Sequence, residues 1–77
     1  MELNVKLLEI LNLVLKNAKK KPISSINDNI NLRNDLGLDS MALAELTVRI
    51  EEQFGIDVFE DGFVSTIGEI KKKLTKI

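Results

Sequence analysis

The chain contains no cysteine and no histidine among its 77 residues. Without cysteine there is no disulfide to hold a small domain together, and without either residue the usual zinc sites are excluded. The lack of histidine also removes the commonest base for activating a serine nucleophile. Tryptophan and tyrosine are missing, three phenylalanines are the only aromatics, and there are one proline and four glycines. The apolar content is therefore aliphatic, which suits packed helices better than an aromatic-rich sheet. Long apolar runs are absent too. The opening stretch MELNVKLLEILNLVLK is interrupted by Glu2, Asn4, Lys6, Glu9 and Asn12. It has neither the unbroken apolar middle of a signal peptide nor the roughly 20 apolar residues of a membrane span. The expectation is a single cytoplasmic domain over residues 1–77 with no membrane span.

Charge of one sign is scarce only locally. The formal net charge is −1, but residues 35–61 hold one Lys/Arg and eight Asp/Glu, while residues 1–34 hold six against three and residues 62–77 hold four against one. An acidic centre attracts basic partners and repels nucleic acid, so no nucleic-acid partner is expected. The lysines at 19–21 and 71–73 sit near expected helix ends, where cations suit the helix dipole.

What is present organises into helices. Leu3, Leu7, Ile10, Leu11, Val14 and Ala18 recur at helical spacing and predict a helix over 3–18, ending near Lys19–Lys21 before Pro22. Residues 22–38, PISSINDNINLRNDLGL, have loop composition, yet Ile23, Ile26, Ile30, Leu32, Leu36 and Leu38 run through them. That pattern predicts a long loop pinned over a helical core, with a short helical turn near Ser24–Asn29. Residues 40–54 form the clearest helix, with Asp39 as its N-cap and Gly55 as its stop. A short helix is expected around Phe59–Val64. Thr66-Ile67-Gly68-Glu69 is a capping box, after which Ile67, Ile70, Leu74 and Ile77 make one stripe. The fold class is all-α: a small four-helix bundle of three longer helices and one short one, with the long loop between the first and second.

At about 100° per residue, Leu43, Leu46, Thr47, Ile50 and Phe54 form the buried stripe of the 40–54 helix. Met41, Glu45, Val48 and Glu52 fall on the opposite face, where two hydrophobes lie among carboxylates. Such a strip can dock a partner, apolar contact supplying area and charge supplying steering. Ser40 stands at the head of this helix, off the buried stripe. The first-turn N–H groups lack intrahelical acceptors and the dipole is positive there, so a phosphate on this side chain meets a favourable field. A serine at a helix start is also an ordinary cap. As a hydrolytic nucleophile Ser40 has no histidine to activate it. A small helical protein–protein interaction adaptor without a prosthetic group uses the same face and is the alternative reading.

The run DLGLDSMALAELTVRIEEQFGIDV, residues 35–58, resembles the acyl carrier protein family. The matching parts are Asp35-Leu36-Gly37-Leu38, Asp39-Ser40-Met41 and Glu51-Glu52-Gln53-Phe54-Gly55. The resemblance implies a carrier that is not an enzyme, a substrate of its partners with no catalytic or metal residues of its own. It implies that Ser40 carries a covalent 4′-phosphopantetheine arm, delivered from coenzyme A by a phosphopantetheinyl transferase. The arm's thiol holds acyl or aminoacyl groups as thioesters. Asp39 assists loading, and Met41, Glu45, Val48, Glu51 and Glu52 receive acyl-loading and acyl-transfer enzymes with basic docking surfaces. Leu46, Thr47, Ile50, Phe54 and the last helix are the implied shelter for the cargo, and the protein acts as a monomer. Ala42 stands where many fatty-acid carriers have an acid, and Arg49 puts a positive charge into the acidic helix. With the near-neutral total charge, these features suggest a specialised member rather than the housekeeping carrier of fatty acid biosynthesis: a polyketide-like, aminoacyl or D-alanyl carrier, or one serving a dedicated ligase.

Overall fold

The computed structural model describes residues 2–60, 62 and 64–75. Among these residues the architecture is all-helical, with three helices and no strand: α1 Glu2–Asn17, α2 Ser40–Phe54 and α3 Ile67–Thr75. The short fourth helix expected around Phe59–Val64 is not among them. Residues 58–60 form a turn, with the Glu60 N–H on Asp57 O and the Gly62 N–H on Phe59 O. Asp61 and Phe63 lie outside the described residues, as does Ile77 of the α3 stripe.

The helices form where apolar spacing provides a face to bury. Leu7, Ile10, Leu11, Val14 and Leu15 of α1 pack with Leu43, Leu46 and Ile50 of α2 and with Ile67, Ile70 and Leu74 of α3 in one core. Among the described residues no polar or charged residue is buried in it. The long loop belongs to the same core: Leu32, Leu36 and Leu38 are buried and Ile23, Ile26 and Ile30 pack against it, as the sequence pattern predicts.

Pro22 is not what ends α1. The chain leaves the helix three residues earlier, through Lys19 in the left-handed region (φ 62°). The Lys20 N–H bonds Leu15 O (2.8 Å) and the Lys19 N–H bonds Lys16 O (3.0 Å), the paired closure of a Schellman end. A lysine in this conformation costs about 1–2 kcal/mol, a cost glycine avoids. The hydrogen bonds recovered offset it.

The expected helical turn near Ser24–Asn29 forms instead at residues 32–36. Asn31 supplies the start: its Oδ1 accepts from the N–H groups of Arg33 (3.0 Å) and Asn34 (2.8 Å), and its own N–H donates to Asp35 Oδ2 (2.7 Å). Gly37 supplies the end with φ 71°. Residues 24–29 contain a cap without a continuation, since Asn27 Oδ1 holds only the Asn29 N–H before the chain turns at 28–29.

Two clasps fix the loop. Asn12 on α1 bonds both backbone groups of Ile23, donating from Nδ2 to the carbonyl (2.9 Å) and accepting from the N–H at Oδ1 (2.8 Å). At the other side the loop joins the start of α3. An antiparallel bridge pairs Asn31 with Thr66, the Leu32 N–H bonds Ser65 O, the Ile67 N–H bonds Ile30 O and the Gly68 N–H bonds Asp28 O. Gly68 is required by that approach. A Cβ there would lie 2.9 Å from Asp28 Cβ and 3.0 Å from Asp28 O. The platform carrying residues 35–40 is therefore braced by α1 on one side and α3 on the other.

Candidate functional site

Ser40 begins α2 and is exposed. Its placement follows from two local stops. Gly37 turns the chain out of the 32–36 helical turn, and Asp39, extended at φ −92°, starts α2 by accepting the Ala42 N–H at Oδ1 (2.9 Å). Both acids near Ser40 are thus engaged with backbone donors, Asp35 on Asn31 and Asp39 on Ala42. The charged group on the serine is a cation: Arg33 Nη2 donates to Ser40 Oγ at 3.1 Å. The sequence reading missed Arg33. Its signal was present only in outline, in the Asn31 cap and the Gly37 stop that fold residues 32–36 into a turn.

This arrangement does not activate a nucleophile. The guanidinium is a donor with no acceptor capacity, and the adjacent carboxylate acts as a helix cap. It does suit a phosphate ester on Ser40. The hydroxyl is open, it heads a 15-residue helix at the positive end of the dipole, and a guanidinium is in hydrogen-bond contact.

The expected partner face is mostly exposed, with one change. Met41 is 82% and Val48 51% accessible, and Glu51 and Glu52 are exposed. Glu45 is half-buried and already occupied: Arg49 Nε donates to its Oε2 at 2.8 Å and Asn17 Nδ2 of α1 donates to the same oxygen at 2.6 Å. The hydrogen bond from Arg49, then that from Asn17, holds the Glu45 carboxyl below the usual carboxylate range. Arg49, which looked out of place in an acidic helix, ties Glu45 down between α1 and α2.

Leu46 and Ile50, among the residues implied to shelter cargo, are fully buried core, and Thr47 and Phe54 are half-buried. Thr47 Oγ1 is buried without a hydrogen-bond partner. A groove of about 500 Å³ opens elsewhere, between the end of α1 and the start of α2, lined by Asn17, Lys20, Gly37, Asp39, Met41 and Glu45 among others. No group of three or more acids that could hold a metal ion occurs among the described residues. No helix of those residues is long and apolar enough to cross a membrane.

Comparison with known proteins gives this geometry its class. The model of the family described as "Phosphopantetheine attachment site" matches residues 5–74. Acyl carrier protein 3 of Ralstonia nicotianae is 33% identical over 58 residues, covering 75% of this chain and 67% of that protein. Acyl carrier protein 2, mitochondrial, of Arabidopsis thaliana is 40% identical over 45 residues, covering 58% of this chain and 36% of its own length. An acyl carrier protein of Zymomonas mobilis is 36% identical over 50 residues, covering 65% and 63%. The chain spans between about a third and two thirds of the length of these curated relatives. No solved structure matches it at a significant level. The chain belongs to the phosphopantetheine-attachment family of acyl carrier proteins, whose prosthetic group is a covalently attached 4′-phosphopantetheine.

Proposed function

We propose that the protein is an acyl carrier and that Ser40 is its attachment point. The carrying observation is the exposed Ser40 hydroxyl at the head of α2, directly after Asp39 and inside the span that the family model matches. In the loading step the Ser40 Oγ–phosphorus bond forms as the pyrophosphate bond of coenzyme A breaks. Adenosine 3′,5′-bisphosphate leaves, and the hydroxyl proton passes to the phosphopantetheinyl transferase. The bound arm supplies a thiol, which this chain, lacking cysteine, does not otherwise have. Thioesters of an acyl or aminoacyl group are its cargo, and the protein is a monomeric substrate of its partners in the cytoplasm rather than a catalyst.

Asp39 sets the start of α2 and leaves its second carboxylate oxygen to assist loading within the transferase complex. Acyl-handling enzymes with basic surfaces dock on Met41, Val48, Glu51 and Glu52. Glu45 contributes from a fixed position, because Asn17 and Arg49 hold it. That tie, and Ala42 buried in the core where an exposed acid is common in the family, support a specialised member with its own partner rather than the housekeeping carrier.

Intact-mass measurement after incubation with coenzyme A and a broad-specificity transferase tests the reading. The wild-type chain gains one phosphopantetheine mass and Ser40→Ala gains none. No gain in the wild type, or a gain that survives Ser40→Ala, removes Ser40 as the attachment point.

A further inference from the structure

The contact between Arg33 and Ser40 has no role in the carrier cycle as described above. Arg33 lies in the loop turn at 32–36, seven residues before the serine, and its side chain is on the surface. Its backbone is fixed from both sides. The Arg33 N–H donates to Asn31 Oδ1 and the Arg33 carbonyl accepts the Gly37 N–H. The guanidinium therefore reaches Ser40 from a defined base and not from a free tether. Among the described residues neither neighbouring acid forms an ion pair with it; Asp35 accepts the Asn31 N–H and Asp39 the Ala42 N–H.

We infer that Arg33 is the phosphate-binding residue of the attached arm, exchanging its hydrogen bond to the Ser40 hydroxyl for contacts to the non-bridging oxygens of the phosphodiester. This rests on the reading of Ser40 as the attachment point. The chemistry favours the exchange. A neutral hydroxyl is replaced by an anion one bond further along the same side chain, and guanidinium hydrogen bonds to phosphate are charge-assisted and can be bidentate. Arg33 needs no new rotation of the loop to follow, since its present partner is the bridging oxygen itself. The consequence is directional. A phosphate held on the Arg33 side starts the arm from one flank of α2 instead of leaving it free to swing about the helix end. A lysine substitutes poorly, because it offers a point charge without the planar fork.

The test compares apo and holo forms of the wild type, Arg33→Gln and Arg33→Lys, with intact mass confirming one arm per chain in each holo sample. In the wild type, loading shifts the Arg33 side-chain Nε–H resonance and the ³¹P resonance differs from that of holo Arg33→Gln. The rise in melting temperature from apo to holo is at least halved in Arg33→Gln and shrinks with added salt, as an exposed ion pair does. Arg33→Lys recovers only part of it. Arg33 is exposed and its backbone bonds remain in all variants, so the apo forms keep wild-type melting. If the wild type loads but its Arg33 resonance does not move and the apo-to-holo change equals that of Arg33→Gln, the inference is overturned while the carrier reading stands. If the wild type does not load, both fall.

Discussion

Replacing glycine with alanine inside a helix usually stabilises it, and at Gly68 the structure reverses the sign. Gly68 is in the first turn of α3, where alanine's advantage is at most about 1 kcal/mol. Against it stands the Asp28 backbone. The added methyl would meet Asp28 Cβ at 2.9 Å, Asp28 O at 3.0 Å and Asp28 Cα at 3.4 Å. These are main-chain and Cβ atoms, so no side-chain rotation relieves the contact and the loop must move. Such overpacking costs about 1–3 kcal/mol. Movement also breaks the 3.1 Å bond from the Gly68 N–H to Asp28 O, a net loss of about 1 kcal/mol. It weakens the Lys71–Asp28 ion pair, which is surface-exposed and adds little. The balance for Gly68→Ala is a loss of about 1–3 kcal/mol, which at about 4–8 °C per kcal/mol lowers the melting temperature by roughly 5–20 °C. Thermal unfolding followed by circular dichroism measures it. Asp28→Gly in the same background removes the Cβ contact but not the carbonyl contact, so it restores part of the loss. An unchanged or raised melting temperature in Gly68→Ala would refute the argument that α3 and the loop are in obligatory contact here.

Asn12→Leu adds apolar surface to α1 yet leaves both backbone groups of Ile23 without their partners, so it destabilises by about 1–3 kcal/mol. The urea midpoint reports this, and the Ile23 amide exchanges faster; unchanged exchange there contradicts the clasp. Glu69 accepts from the backbone N–H groups of Ser65, then Thr66, and these hold its carboxyl below the usual carboxylate range. A carboxyl lowered on folding stabilises above its unfolded pKa, and that contribution is lost as pH falls through the folded value. The melting-temperature gap between wild type and Glu69→Gln is therefore full at neutral pH and closes on acidification. A gap that persists at low pH counts against a charge-dependent cap.

Features legible in the sequence are those encoded within one turn of the chain. Asp39 and Gly55 bound α2 as their residue types predict, Gly55 adopting φ 70° with its N–H on Glu51 O. Thr66 and Glu69 form the reciprocal capping box. Met41 and Val48 are exposed because the helical period alone puts them opposite Leu46 and Ile50. The features not legible depend on segments distant in sequence. The end of α1 near Lys19–Lys21 was legible, but lysine has no preference for the left-handed region, so the closure through Lys19 could not be read from residue type and Pro22 stood as the apparent stop. Asn12 looked like a break in an apolar face, and only the loop's path shows it to be a clasp. Glu45 looked free until Asn17 of α1 and Arg49 met on one oxygen. The same holds for Arg33, whose reach to Ser40 depends on a turn built by Asn31, Asp35 and Gly37 together.

The strap between the loop and α3 sets a lower bound on what can be cut away. Ile30 and Leu32 find their backbone partners in Ile67 and Ser65, on the far side of the serine in the chain. A fragment stopping at Val58 would keep every residue of the recognised run 35–58 and still lose the brace that holds the serine's platform in place. The smallest piece able to present Ser40 in this pose runs from α1 through α3, so the motif cannot be lifted out as a short peptide tag without leaving its geometry behind.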